Sequence, residues 1–331
     1  MTHTPPDRDA APPRTAPPAP ADLPDLSRYA SGSDGVPYLV TLRSGHDGPH
    51  AMISALVHGN ELCGAIALDR LLRNRLQPRR GRLTLAFMNV EAFHSNPPRR
   101  FLDEDMNRVW APEVLAGDRD SRELRRARQV RPVVDTVDLL LDLHSMQSQD
   151  APIALSGDWP KGARLARTIG VPATIVQDPG HPAGPRLRDY AQFGDPAADA
   201  AAVLVECGQH AAPAAATLAQ DAALRLLLAL DMIAPAEAER LNGGPLGPAA
   251  TPQRLVRVTG LVTAGHGFRM ADEVVGMCPI PKAGTIVCWN EGTAIGTPYD
   301  DCVPVMPTPG ATSGTTALRF GQLQEVEGTE V

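Results

Sequence analysis

The sequence predicts an α/β protein, a mixed β-sheet flanked by helices, followed by a smaller C-terminal β domain. Three observations predict it. Short apolar runs of strand length alternate with stretches whose leucines and alanines recur every three or four residues. Three of those runs, Ala51–Val57, Val137–Leu143 and Ala201–Val205, lead directly into residues able to do chemistry. After Arg254 the pattern changes to short β-type segments divided by Gly and Pro.

Composition narrows the function classes. At 331 residues the chain has ample core for one large and one small domain. A net charge of -7 without a basic stripe argues against nucleic acid, and 4% aromatics leave few platforms for base stacking. No apolar run approaches the length of a membrane span, so no membrane role is expected. The five cysteines (Cys63, Cys207, Cys278, Cys288, Cys302) form no C-x-x-C pair and are odd in number. That pattern suits reduced thiols in a cytoplasmic protein rather than a disulfide framework.

Residues 1–24 hold eight prolines and no continuous apolar stretch, which predicts a disordered tail rather than a signal peptide. Val36–Leu42 reads as a strand, and the turn Ser44–Pro49 makes it an antiparallel partner of Ala51–Val57. His46 in that turn reads as an exposed loop residue. Ala51–Val57 is a buried strand bounded by Pro49 and Gly59. After His58-Gly-Asn-Glu61, the spacing of Leu62, Ala65, Leu68, Leu72 and Leu76 predicts a helix over 61–76. His58 and Glu61 thus sit at the carboxyl edge of a strand, where open α/β sheets bind ligands. An imidazole and a carboxylate there can close on one metal ion, although a polar strand-to-helix turn needs none.

Arg82–Met88 is the next strand, leading into a loop over 89–118 that contains Asn96-Pro-Pro-Arg-Arg100 and Asp105-Met-Asn-Arg108. Its arginines suit carboxylate recognition, while Asp103, Glu104 and Asp105 would equally serve a solvated, salt-bridged loop. Asp120-x-x-Glu123 reads as a capping box opening a helix to about Pro132. The strand Val137–Leu143 then delivers His144. Two histidines and a glutamate at strand ends are what a catalytic zinc site needs, with its fourth position left for water or substrate. Asp142 either orients His144 or makes a surface or capping contact. The alternation continues through Ile153–Leu155, a helix near Lys161–Ile169, and Ala173–Val176. His181 lies in a Gly/Pro-rich loop, either a competing ligand or an exposed residue. Ala201–Val205 ends on Glu206, which reads as a general base beside an activated water or as a cap for the following helix, about Ala214–Ile233.

Taken together, these stretches resemble the succinylglutamate desuccinylase/aspartoacylase family of zinc-dependent deacylases, relatives of the zinc carboxypeptidases. The resemblance runs from about Ala51 to Gly208, on His58-Gly-Asn-Glu61, on Asn96-Pro with Arg100 and Asp105-Met-Asn-Arg108, on Asp142-Leu-His144, and on Glu206-Cys-Gly208. It implies a zinc carboxypeptidase-like sheet and one zinc ion per chain held by His58, Glu61 and His144. It also implies Glu206 as general base, Arg100 polarising the scissile carbonyl, and Asn107 and Arg108 holding a substrate carboxylate. The family's further substrate arginine lies close before the base. Here the nearest candidate, Arg188, is eighteen residues before Glu206, so an insertion must be assumed. A substrate tyrosine from the family's C-terminal domain corresponds to Tyr299 by rough position only. That domain is expected to pack beside the active-site mouth.

The resulting expectation is a catalytic domain over 25–241, a linker over 242–253, a small β domain over 254–322 and an acidic tail over 323–331. The β domain's expected strands are Leu255–Val258, Glu273–Met277, Thr285–Trp289 and Val303–Met306. The expected function is zinc-dependent hydrolysis of the amide in an N-acyl amino acid or similar small carboxylate-bearing substrate. A zinc carboxypeptidase-type peptidase and a non-catalytic binding module remain alternatives, and a homo-oligomer is left open.

Overall fold

The computed structural model describes residues 23–250 and 252–324, so most of the expected N-terminal tail and most of the acidic tail lie outside the described residues. The chain begins with β1 (Leu39–Arg43), β2 (His50–Ala55), α1 (Leu62–Arg73) and β3 (Arg82–Phe87). Two short helices, α2 (Val90–Phe93) and α3 (Pro112–Ala116), and a 3-10 turn at Met106–Arg108 occupy the stretch expected to be a bare loop. There follow α4 (Arg122–Val134), β4 (Leu139–Met146), β5 (Ile153–Leu155), α5 (Pro160–Ile169), β6 (Thr174–Gln177) and β7 (Ala201–Gln209). The helices α6 (Pro213–Ala229) and α7 (Pro235–Asn242) lead to β8 (Arg254–Thr263). The last strands are β9 (Arg269–Met270), β10 (Ile286–Asn290), β11 (Thr293–Gly296), β12 (Val303–Val305) and β13 (Thr316–Gln324).

Ten strands form one mixed sheet in the order β1-β3-β2-β4-β7-β5-β6-β8-β13-β12. β2 lies between β3 and β4 and pairs in parallel with both, which explains why all six of its residues are buried. That placement corrects one expectation. β1 pairs antiparallel with β3, not with β2, because both edges of β2 are already taken. β4 and β7 run in parallel with His144 opposite Glu206, and both residues lie within their strands rather than after them. From Arg254 the chain keeps extending the same sheet, since β8 pairs in parallel with β6 and antiparallel with β13. β9, β10 and β11 make a separate antiparallel sheet. The expected strand Glu273–Met277 is absent: the segment is turns, with Met277 at a φ of 63° that breaks extended structure.

Apolar residues pack on both faces of the sheet. One cluster joins α1, α5, α6 and α7 to one face, with Leu68, Leu71, Leu224 and Leu227 at its centre. The other places Trp110, Leu124, Ala127 and Val130 from α4 and the preceding segment against Met52, Met88 and Leu140. Each fully buried leucine contributes roughly 1.5–3 kcal/mol, so the two layers hold the central strands rigid. α1 sits close to the sheet because Gly64 lacks a side chain. A Cβ there would lie 2.8 Å from that of Ala55 and 2.9 Å from that of Leu143.

Candidate metal centre and catalytic groups

The centre forms where β2, β4 and β7 end side by side. After β2 the chain turns through His58 and Gly59 into α1, with the Glu61 N–H donating to the His58 carbonyl. Gly59 is required, since a Cβ would come within 2.4 Å of the Phe93 nitrogen. Its own N–H donates to the Arg100 carbonyl and stitches the turn to the loop that carries Arg100. Glu61 occupies the N-cap position of α1 but makes no cap bond to that helix. Its carboxylate instead faces His58 Nδ1 at 2.8 Å through Oε1 and His144 Nδ1 at 2.7 Å through Oε2. Arg100 Nη1 lies 3.2 Å from Oε1, and the Ser145 N–H donates to Oε2 at 3.2 Å.

His58, Glu61 and His144 are buried, and their ligand atoms lie within 4.8 Å of one another. Each imidazole is held from behind by a second carboxylate. His58 Nε2 is 2.9 Å from Asp105, and His144 Nε2 is 2.9 Å from Asp142, which accepts from Ser54 Oγ at 2.7 Å. Both rings therefore turn Nδ1 inward and Nε2 outward. A neutral imidazole has one N–H and can satisfy only one of two carboxylates. The remaining Nδ1-to-Glu61 contact sets lone pair against lone pair unless a cation stands there. Two histidines and a carboxylate, with outer carboxylates fixing the tautomers, match the donor set of a catalytic zinc site. The residues present fit the metal.

Electrostatics report the same need for positive charge. Burial works against ionised Glu61, yet His58 and His144 outweigh it and hold the carboxyl well below its usual range. Burial likewise opposes a charged His144, but Asp142 and Glu61 hold its proton well above the usual range. Glu206, opposite His144 in the strand register, is pushed up to about 8 by burial and by Glu61, against the pull of His144, Arg100 and Arg186. Its Oε2 has no hydrogen-bond partner among the described residues. A buried carboxyl with a free oxygen and a raised pKa has the properties of a group that exchanges protons.

The loop between α2 and α3 supplies the remaining charges. Arg100 bridges Glu61 and Asp105, with Nη2 3.2 Å from Asp105 Oδ2. Asp105 thus spans His58 and Arg100, a role the sequence reading missed by treating it as a local neutraliser. Asn107 is tied into the scaffold: its Oδ1 accepts from the Leu187 N–H at 2.9 Å, and its Nδ2 lies 3.4 Å from His144 Nε2. Arg108 donates to the Asn107 carbonyl at 2.6 Å and lies 3.7 Å from Asp105.

Arg108 belongs to a larger basic group. Arg186 pairs with Asp178 at 3.1 Å through Nη2, and its buried Nη1 has no partner among the described residues. Arg319 reaches the same carboxylate from β13, at 3.5 Å. Burial and the neighbouring Arg186, Arg100 and Arg319 pull Arg108 down to about 10 against Asp105, and it stays charged at neutral pH. His181 is pulled to about 3 by burial and by Arg108, Arg319 and Arg186, so it stays neutral beside them. It makes its contact with Thr316 Oγ1, at 3.3 Å, and is no part of the metal cluster. Arg188 is also buried, but its guanidinium is committed to the Asp178 carbonyl at 3.2 Å and to Asp189 at 3.1 Å. The charge of Arg186, two residues earlier in the same loop, works weakly against the raised carboxyl of Glu206. Tyr299 donates to or accepts from Thr259 Oγ1 at 2.6 Å within the C-terminal strands. A further pair escaped the sequence reading: Ser145 Oγ and His210 Nδ1, 2.8 Å apart, at the same sheet edge.

Residues 47–233 match the family described as Succinylglutamate desuccinylase/Aspartoacylase catalytic domain. Among curated relatives the chain is similar to aspartoacylase of Mus musculus, 32% identical over 105 residues. It is also similar to an N-acyl-aromatic-L-amino acid amidohydrolase (carboxylate-forming) of Xenopus laevis, 29% identical over 98 residues. Each match covers 28% of this chain and 32% of the relative, so the chain spans about a third of the length of the curated relatives it matches. A solved succinylglutamate desuccinylase from Vibrio parahaemolyticus shares the fold, with a TM-score of 0.63, 15% identity, and coverage of 89% of this chain and 88% of that one.

Proposed function

This chain belongs to the succinylglutamate desuccinylase/aspartoacylase family, and from that premise we propose that it is a zinc-dependent amidohydrolase. Its substrate is an N-acyl amino acid or a similar small carboxylate-bearing amide, and Glu206 is the general base. One observation carries the reading. The Nδ1 atoms of His58 and His144 converge on Glu61, and the same strand register sets Glu206 opposite His144.

His58, Glu61 and His144 would hold the zinc ion, with Asp105 and Asp142 fixing the two rings. When bound, such an ion polarises a carbonyl oxygen and lowers the pKa of a water. Glu206 accepts the proton of the attacking water and returns it to the departing amine. Arg100, half exposed at the mouth and anchored on Glu61 and Asp105, offers its guanidinium to the oxygen that gains charge. Arg108, with Arg186 beside it, holds the carboxylate that the substrate carries throughout. Asn107 contributes mainly by fixing the loop beneath them. A cytoplasmic location fits a chain whose five cysteines are all free thiols.

The test is a panel of N-acetyl amino acids, N-succinyl amino acids and dipeptides, with each active compound also assayed with its free carboxylate masked as an amide. Hydrolysis of N-acyl amino acids and a large loss on masking are expected. Cleavage of dipeptides alone would establish a peptidase instead.

A further inference from the structure

Glu123 has the sequence position of a capping residue, yet the structure uses it differently. Ser121 is the N-cap of α4, its Oγ accepting from the Leu124 N–H at 3.0 Å. That frees the Glu123 side chain, which is fully buried and turned away from its own helix toward the catalytic loop. Oε1 accepts from the Leu102 N–H at 2.7 Å and from Asn89 Nδ2 at 3.0 Å. Oε2 accepts from the N–H groups of Asp103 at 3.1 Å and Glu104 at 3.2 Å. One carboxylate thus gathers three consecutive backbone donors and an amide. The helix start and the loop also grip in the other direction. Asp103 Oδ2 accepts from the Arg122 N–H at 2.8 Å, and Ser121 Oγ donates to Glu104 at 2.5 Å.

The clasped residues lie between Arg100 and Asp105, the two loop residues that touch Glu61 and His58. The other end of the clasp is fixed to the sheet, because the Asn89 N–H donates to the Leu56 carbonyl just beyond β2. From this geometry we propose that Glu123 is a positioning residue for Arg100 and Asp105. Its carboxylate ties the loop to the strand end that carries His58, and so sets the guanidinium against the reacting carbonyl and the Asp105 carboxylate against the His58 ring. A buried carboxylate with four N–H donors is a stiff anchor, since each charge-assisted hydrogen bond is stronger than a neutral one. Glutamine keeps the shape but puts an NH₂ group where two of those donors must be accepted, leaving them unpaired.

The kinetic part of the test rests on the hydrolase reading, and the other parts do not. In Glu123→Gln, backbone hydrogen exchange over residues 100–105 should speed up while β2, β4 and β7 keep their protection. Zinc affinity should fall by about 10-fold, the low end for loss of support behind a ligand. The turnover number should fall by about 10- to 100-fold, as for an approximately ångström-scale misplacement, with KM moving less than about threefold. With zinc held saturating, so that the Asp105–His58 contribution to metal binding does not enter, the same change in an Arg100→Ala background should lower turnover by less than about threefold, because the guanidinium it positions is already gone. If Glu123→Gln fails to fold, the exposed Asp103→Ala with Glu104→Ala loosens the clasp from the loop side and should give the same pattern at smaller size. Equal losses with and without Arg100 at saturating zinc, or unchanged exchange over the loop, overturn the proposal. Faster loop exchange and weaker zinc binding in a protein that hydrolyses no substrate would sink the hydrolase reading and leave the clasp standing.

Discussion

Glu206 concentrates the chemistry at the scale of a single residue. Its carboxylate is buried, has a free acceptor oxygen, and lies one strand away from His144. Glu206→Gln keeps the size and polarity but removes the proton acceptor. Zinc should stay bound while turnover drops by about 10² to 10⁴-fold. Near-normal turnover in that variant would mean that another group is the base. The same residue predicts a pH effect in protein stripped of metal. With its carboxyl raised from 4.5 to about 8, folded Glu206 binds a proton that the unfolded chain has released. His144, held above its ordinary 6.5, acts with the same sign. Where the folded state binds more protons, stability falls as pH rises. The melting temperature of chelated protein should therefore decline as pH rises through the range from about 4.5 to 8 that Glu206 sets, with His144 adding to the decline above 6.5. Zinc-loaded protein should show a much smaller decline, because the ion would take the place of the His144 proton and its charge would favour ionised Glu206. Parallel profiles for the two forms would contradict the assignment.

Elements place these residues, and their packing is tight where it matters. α1 approaches β2 and β4 through Gly64, where even a methyl group would overlap the Cβ atoms of Ala55 and Leu143. Gly64→Ala should cost about 1–3 kcal/mol by overpacking, read as an earlier denaturation midpoint. An unchanged midpoint would show that the helix can shift without cost. The strands that carry the site were legible in the sequence, because buried parallel strands read as unbroken apolar runs that stop at a polar residue. His58, Glu61, His144 and Glu206 stood out for that reason. What depended on contacts between distant segments was not legible. The turn before β2 suggested a hairpin with β1, but pairing is decided by which strands already occupy each edge of β2. Arg186 and Arg188 alternate within one short loop, and only the fold shows that the Asp178 carboxylate holds the first while Asp189 and the Asp178 carbonyl hold the second. Glu123 looked like a cap because its spacing allowed one. Its actual partners lie about twenty residues earlier in the chain.

Across the whole molecule, one mixed sheet brings a single edge of β2, β4 and β7 together and adds the C-terminal strands to the same sheet, so that Arg319 shares the Asp178 carboxylate with Arg186. Among the described residues no helix is long and apolar enough to cross a membrane. The proposed function gives the basic group a substrate carboxylate to hold, while the cluster of carboxylates around two imidazoles calls for a cation. The proposed hydrolysis depends on that cation. The most direct test is the zinc content of purified protein, measured by elemental analysis for the wild type and for His144→Ala, with folding of the variant checked by circular dichroism. The account predicts close to one zinc per chain in the wild type and loss of the metal from the folded variant. Full zinc occupancy in His144→Ala would contradict it.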